Sequence, residues 1–379
     1  MKIGIVGAGA IAFGMAAFLE QAGHAATLWS PSGMRTQALA AGESLVAAGA
    51  IEGTFKPRIA TSAADVVTDS DVILIALPAY GHKHVFDAIA PHVTPTQTVI
   101  VSSHASFGAL YLSRLLAARG ISIPIVAWGT TLLSGRQTGP AKVQVNTVRK
   151  TVDLATLPAS RSAEGLTLCQ SLFGDRFVDR GSLLAIALSN LNPTIHMGIA
   201  LGNMTRMEKA EAWGQAESVT PNVGRLLEEL DRERLAIATS LGLEVRTIFQ
   251  HLHLSFGVPY GSASEMHQAM HGIGKGGAGP TTADSRYVTE DVPFGLVPTA
   301  KLGRLAGHPA PLHEAGVALF SAMYGRDFTA ENDLLGALDI DSLTLRQLQT
   351  LCRDGYSPLS SRNDRSTAQL ALDPSLRSG

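Results

Sequence analysis

The sequence predicts an α/β N-terminal domain, a doubly wound and mainly parallel sheet, over residues 1–181. An all-α domain over residues 182–353 and a loosely ordered tail over 354–379 complete the prediction. Three observations carry it. A strand, a glycine-rich turn and a helix follow one another directly at the N-terminus. Apolar strand segments then alternate with helical ones, and from about Ser182 the strand signals give way to helical periodicity. At 379 residues the chain exceeds one ordinary core, so two domains are expected.

Residues 2–6, Lys-Ile-Gly-Ile-Val, read as a buried parallel strand. Gly7-Ala-Gly-Ala-Ile-Ala12 follows, residues 13–21 have helical periodicity, and residues 23–29 supply the next turn and strand. This is a βαβ unit of about 30 residues, the Rossmann dinucleotide pattern. Gly7 permits the tight turn and Gly9 lets the backbone approach a pyrophosphate. Ala10 and Ile11 open a helix whose free N–H groups meet phosphate charge, and Ala12 keeps that helix close to the sheet. The second strand ends in Trp29-Ser30-Pro31-Ser32-Gly33-Met34-Arg35, without the acidic residue that accepts from the ribose hydroxyls of NAD. Ser30, Ser32 and Arg35 suit a 2′-phosphate instead, so NADP(H) is favoured over NAD(H). Residues 71–77 form a strand ending at Pro78, residues 98–102 one ending at Ser103, and residues 123–128 one leading into Gly129-Thr130. Ligands bind at the carboxyl ends of such strands, which places Pro78 and Ser103 beside the cofactor and Thr130 beside the substrate. Residues 141–146 alternate like an antiparallel edge strand.

In the second half, residues 183–204 are apolar on several faces and predict one long buried helix, kinked at Pro193 and holding Asn190, Asn192 and His196. Residues 223–241 read as an amphipathic helix with the charges of 228–234 on a solvated face. His267 and His271 share a helix face, but no acidic residue completes a metal motif, so no metal site is predicted. The glycine-rich residues 272–280 read as a loop free to let the next segment close over substrate. That segment, Arg286-Tyr-Val-Thr-Glu-Asp291, holds a carboxylate able to orient a histidine for proton transfer near neutral pH. From the residues alone, His196 stands between a satisfied core histidine and that role.

A net charge of -2 argues against a strongly basic nucleic-acid surface. Cys169 and Cys352, far apart, give no disulfide framework and fit a reducing cytoplasm. The N-terminal apolar run is too short for a signal peptide, and no uninterrupted apolar run reaches about 20 residues. A cytoplasmic protein without a membrane or nucleic-acid partner is expected.

Ser189-Asn-Leu-Asn-Pro-Thr-Ile-His196 resembles the Asn-x-Asn-x-x-x-His segment of the opine dehydrogenase family, the octopine/nopaline dehydrogenase group. Gly279-Pro280, Arg286-Tyr287, Glu290-Asp291 and Gly295-Leu-Val-Pro298 resemble its second signature, and Thr220-Pro-Asn-Val-Gly224 an intervening helix start. The resemblance covers residues 1 to about 350. It implies that substrate lies between the two domains. It also implies that a 2-oxo acid such as pyruvate condenses with the amine of an amino acid or related amine, the imine being reduced by NAD(P)H. His196 would be the acid/base, Asp291 its partner, and the assembly a homodimer. Arg286 is either a carboxylate clamp or a structural ion pair, and Asn192 either orients substrate or caps the broken helix turn. Two other readings stand beside this one. Ketopantoate-reductase-like reduction of a 2-oxo acid to a hydroxy acid is disfavoured by the missing Lys in the His196 helix. A non-catalytic NADP-sensing protein is disfavoured by the presence of both His196 and Asp291.

Overall fold

The computed structural model describes residues 1–103 and 107–358. Its strands are β1 (Lys2–Val6), β2 (Ala25–Trp29), β3 (Leu45–Gly49), β4 (Gly53–Phe55), β5 (Arg58–Ile59), β6 (Val72–Ile75), β7 (Thr98–Val101), β8 (Ile125–Trp128), β9 (Leu133–Gly139), β10 (Lys142–Val148), β11 (Val152–Leu157) and β12 (Phe177–Asp179). Eight of them form one sheet in the order β12-β11-β8-β7-β6-β1-β2-β5, parallel throughout except where β11 runs against β8. Between these strands run α1 (Ala10–Gln21), α2 (Gln37–Ala40), α3 (Ala63–Thr68), α4 (His82–Ile89), α5 (Gly108–Ala117) and α6 (Ser162–Phe173). Strand residues alternate between two buried faces, as helices on both sides of a sheet require. Ile3, Ile5, Val72, Leu74 and Ile100 join Phe13 and Phe173 on one side; Val6, Ile73, Ile75, Val99 and Val101 join Phe86 and Leu110 on the other.

Residues 141–146 are not an edge strand. β10 lies inside a second sheet of order β4-β3-β10-β9, parallel to β3 and antiparallel to β9. Val143 and Val145 face the first core while alternate residues are solvated, so the alternation marks one packed face rather than an edge. This sheet rests on α1. A Cβ on Gly14 would lie 2.8 Å from a Leu133 methyl, and Gln137 of β9 donates to the Ala8 carbonyl at 3.1 Å, bracing the glycine-rich turn from above.

Beyond β12 the chain is helical: α7 (Leu183–Ser189), α8 (Asn192–Glu208), α9 (Pro221–Ser240), α10 (Ile248–Phe256), α11 (Ala263–Gly272), α12 (Arg286–Thr289), the π-helix Val292–Leu296, α13 (Val297–Leu305) and α14 (Pro311–Tyr324). The expected single helix over 183–204 is therefore two. Asn190 is extended (φ -77°, ψ 109°), and Pro193 sits in the first turn of α8, where its missing N–H costs nothing. The stretch Leu183–Glu208 is long and apolar enough by composition to cross a bilayer, yet 72% of its most apolar window is buried inside the protein. Leu183, Ile186 and Leu188 of α7 pack into the same core as Phe86 and Leu110, joining the helical half to the sheet.

Two further expectations are corrected. The charged run in α9 is a solvated face only in part: Glu229 and Arg232 are exposed, but Asp231 and Arg234 turn inward. Leu227, Leu230, Asp231, Arg234, Ile237 and Ala238 form its inner stripe at helical spacing, and the Asp231 and Arg234 side chains are each 2% exposed in an ion pair of 2.6 Å. The glycine-rich residues 272–280 are not free over their second half. Gln215 and Ala216 donate to the Gly277 and Gly276 carbonyls, and Gly279 donates to Trp213. The Trp213 indole covers Gly279, where a Cβ would lie 2.2 Å from the ring. Backbone pairing thus holds the second half of this loop down. Of the predicted tail, Asp354 ends a helix and the Tyr356 N–H reaches Ser113 Oγ at 2.9 Å, while residues 359–379 lie outside the described residues.

Candidate functional site

The site begins with the turn after β1. Gly7 has φ +135°, and a Cβ there would lie 2.3 Å from the Ala76 carbonyl oxygen, so only glycine fits. Gly9 caps α1 in extended geometry, and a Cβ there would meet nothing nearer than Arg35 Nη1 at 3.9 Å. The first intrahelical bond runs from Phe13 N–H to Gly9, leaving the N–H groups of Ala10, Ile11 and Ala12 without helical partners and open to an anion. Ala12 is fully buried against the sheet. Ser30 accepts from Gly33 through its backbone carbonyl, Ser32 is exposed, and Arg35 reaches back from a short 3₁₀ turn over the glycine loop. Pro78, Ser103 and Thr130 stand at the carboxyl ends of β6, β7 and β8, partly open to solvent. Ser103 has φ +78°, a left-handed conformation that a serine holds only when its surroundings impose it.

From the helical half, α8 presents His196 one turn after Asn192, on the same face. His196 Nδ1 is hydrogen-bonded to Asp291 Oδ2 at 2.7 Å, with side chains 18% and 14% exposed. The Tyr287 ring stacks on the imidazole at 3.7 Å between centroids and 5° between planes, which fixes its orientation. With Nδ1 on Asp291, the remaining ring nitrogen, Nε2, has no protein partner among the described residues. Burial raises the Asp291 carboxyl above its ordinary value; His196 and Arg286 oppose the rise and adjacent Glu290 adds to it. Asp291 caps the π-helix Val292–Leu296, a wide turn of the kind that gathers at functional sites. Gly295 in that turn packs against Pro193: a Cβ there would lie 2.1 Å from Pro193 Cγ. The start of α8 and the π-helix that follows Asp291 are thus packed together, which holds His196 and Asp291 in register.

Arg286 is not paired with Asp291. Its Nε bonds Glu290 one helical turn on, and Glu290 Oε1 accepts from the Ala79 N–H at 2.9 Å, tying the helical half to the loop after β6. The Arg286 side chain is 64% exposed and lines an open cleft of about 710 Å³ with Arg35, Tyr80, Thr289, Phe294 and Arg326. Asn192 does not cap the turn: Asn190 does, its Oδ1 accepting from the Asn192 N–H at 3.1 Å, and the Asn192 side chain is exposed. Sequence reasoning passed over Tyr287 and Glu290 as site residues. The Arg286/Glu290 spacing of four residues could have announced the ion pair; nothing local announces a ring stacked on a histidine of another helix.

Family models match both halves. The α-helical domain of NAD/NADP octopine/nopaline dehydrogenase matches residues 179–324, and ketopantoate reductase PanE/ApbA matches residues 3–158. Opine dehydrogenase of Arthrobacter sp. (strain 1C) is 32% identical over 348 residues, covering 90% of this chain and 95% of that protein. Vitopine synthase of Allorhizobium ampelinum (strain ATCC BAA-846 / DSM 112012 / S4) is 24% identical, over 87% of this chain and 95% of its own length. Among solved structures, octopine dehydrogenase with NADH and L-arginine superposes with a TM-score of 0.76 at 15% identity, covering 92% of this chain and 98% of that one. Yersinopine dehydrogenase with NADP+ bound gives 0.70 at 17% identity, over 88% and 97%.

Proposed function

The chain belongs to the opine dehydrogenase family of NAD(P)-dependent oxidoreductases acting on CH–NH bonds. We propose that it condenses a 2-oxo acid with the amino group of an amino acid or related amine and reduces the resulting imine with NADPH. The observation that carries this reading is the His196–Asp291 pair, held flat by Tyr287 with Nε2 unpartnered, in a helical half joined to a dinucleotide turn.

The residues around the turn fit the cofactor: Gly7 and Gly9 clear the approach, and the N–H groups of Ala10–Ala12 await phosphate oxygens. When bound, the nicotinamide supplies hydride to the C=N carbon. Arg35, above Gly9 with no carboxylate partner among the described residues, would take a 2′-phosphate with Ser30 and Ser32 beside it, so NADPH is preferred to NADH. His196 Nε2 carries the proton. It protonates the departing hydroxyl of the carbinolamine so that water leaves and the C=N bond forms, and Asp291 stabilises the imidazolium and its tautomer. Arg286 turns its exposed guanidinium to one substrate carboxylate while Glu290 holds its Nε, and Asn192 and Thr130 complete the substrate contacts.

The test is NADPH oxidation with pyruvate and other 2-oxo acids, each with and without a panel of amino acids and amines. Consumption that needs both substrates is expected. Turnover without any amine would replace this reading with hydroxy-acid formation, the reaction class suggested by the ketopantoate reductase match over residues 3–158. Arg35→Ala should raise KM for NADPH by about tenfold or more and leave NADH nearly unchanged. Equal effects on both would reject the 2′-phosphate role.

A further inference from the structure

Cations outnumber carboxylates where the turn after β8 meets the helical half. Asp153 of β11 takes Arg180 at 2.9 Å and Arg246 at 3.0 Å, and Asp231 takes Arg234. Both carboxylates are then occupied. Arg149, in the turn between β10 and β11, has none among the described residues, although its side chain is half-buried and burial holds its pKa below the ordinary value.

Its placement is specific. Nε donates to the Thr131 carbonyl at 2.9 Å, its own N–H to the Leu132 carbonyl at 2.8 Å, and its carbonyl accepts from Arg176 Nη1 at 2.8 Å. Three bonds thus fix the backbone and the root of the guanidinium, and both Nη atoms are without a hydrogen-bond partner among the described residues, left as a fork. Thr131 follows Thr130 at the carboxyl end of β8, the edge of an open α/β sheet where ligands bind. Across from it on α10, His251 is pushed down to about 3 by burial and by Arg149, Arg246 and Arg234, so it stands neutral and adds no charge. An unpaired, partly buried guanidinium is costly unless an anion completes it in the working complex.

We infer that Arg149 is a second carboxylate-binding residue of the active cleft, taking the substrate carboxylate that Arg286 does not hold. The inference rests on the proposed reaction in its amino-acid form, whose two substrates bring one carboxylate each while Arg286 offers one fork. Either the 2-oxo acid or the amino acid could supply the group, and the kinetics separate them.

The experiment measures KM for each substrate and for NADPH in wild type, Arg149→Gln and Arg149→Lys. One substrate KM should rise by about 10- to 100-fold, the loss of a charge-assisted pair, with the NADPH KM unchanged. The amide analogue of that substrate should be handled alike by wild type and variant. Substrate KM values within twofold of wild type, or an equal loss for acid and amide, would overturn the assignment while leaving the reaction standing. Should wild type show no amine-dependent turnover, the proposed reaction falls, and calorimetric binding of oxalate to the protein with NADP+ still tests Arg149. Binding that Arg149→Gln abolishes supports the site; no binding to wild type, or unchanged binding in the variant, overturns it. Melting curves control for folding. If Arg149→Gln does not fold, Arg149→Lys, which keeps the charge and loses the fork, is read in the same assays.

Discussion

Replacing Asp291 with Asn tests the proton machinery at its most constrained point. The His196–Asp291 bond is 2.7 Å long and both side chains are largely buried, which puts the charge centres of imidazolium and carboxylate about 4 Å apart. At an effective dielectric constant of about 20 that attraction is about 4 kcal/mol, or roughly a thousandfold in rate if it is realised only when His196 is protonated. The Asn amide can also donate to Nδ1 and so favour the wrong tautomer. Asp291→Asn should therefore lower kcat by about 10²- to 10³-fold with the NADPH KM unchanged. Stability should move the other way. Because burial lifts the Asp291 carboxyl above its ordinary value, the folded state prefers the proton, and ionising the group at neutral pH costs stability. The variant's thermal midpoint at neutral pH should equal or exceed that of wild type, and the gap should close in acid as wild-type Asp291 is protonated. The assays are NADPH consumption with both substrates saturating and melting curves across pH. A kcat within tenfold of wild type would refute the role given to the pair, and a variant clearly less stable at neutral pH would refute the electrostatic account of Asp291.

Two further outcomes follow from packing and burial. Gly295→Ala drives a Cβ to within 2.1 Å of Pro193 Cγ, so the urea midpoint should drop by the equivalent of at least about 1–3 kcal/mol, with kcat falling as the start of α8 shifts; an unchanged midpoint would show that the two elements are not locked. His82 is fully buried, and burial lowers its pKa from 6.5 to about 4, so it folds as a neutral ring. Its contribution, about 3 kcal/mol, is present above pH 6.5 and is lost as the unfolded chain takes up a proton between pH 6.5 and about 4. Urea midpoints for His82→Asn should therefore fall less steeply than those of wild type over that window, and equal slopes would remove His82 as the cause.

Much of the candidate site was legible because its signals are local. Gly7 is read from a turn that no other residue type allows, Gly9 from its spacing two residues on, and the strands ending at Pro78 and Ser103 from apolar runs of fixed length. The Asn-rich start of the His196 helix and the Arg-Tyr…Glu-Asp segment are recognisable as strings. What escaped depends on partners distant in sequence. The Pro193 segment reads as one kinked helix until Asn190 is seen extended, and the polar run of α9 reads as surface until Asp231 and Arg234 are seen to share a stripe with Leu227 and Leu230. The glycine-rich residues 272–280 read as free because a sequence does not show Trp213 lying across Gly279.

Local chemistry alone determined the dinucleotide turn, the change from strands to helices near residue 182 and the candidacy of His196 and Asp291, because backbone sterics and hydrophobic period act within a few residues. Only the tertiary structure decided that His196 and Asp291, 95 positions apart, share a 2.7 Å bond under Tyr287, that Arg286 leans on Glu290, and that Arg149 has no carboxylate partner among the described residues. Those outcomes depend on which charges and rings burial brings together, and it is the packing of Pro193 on Gly295 and of α7 on the sheet that brings them there.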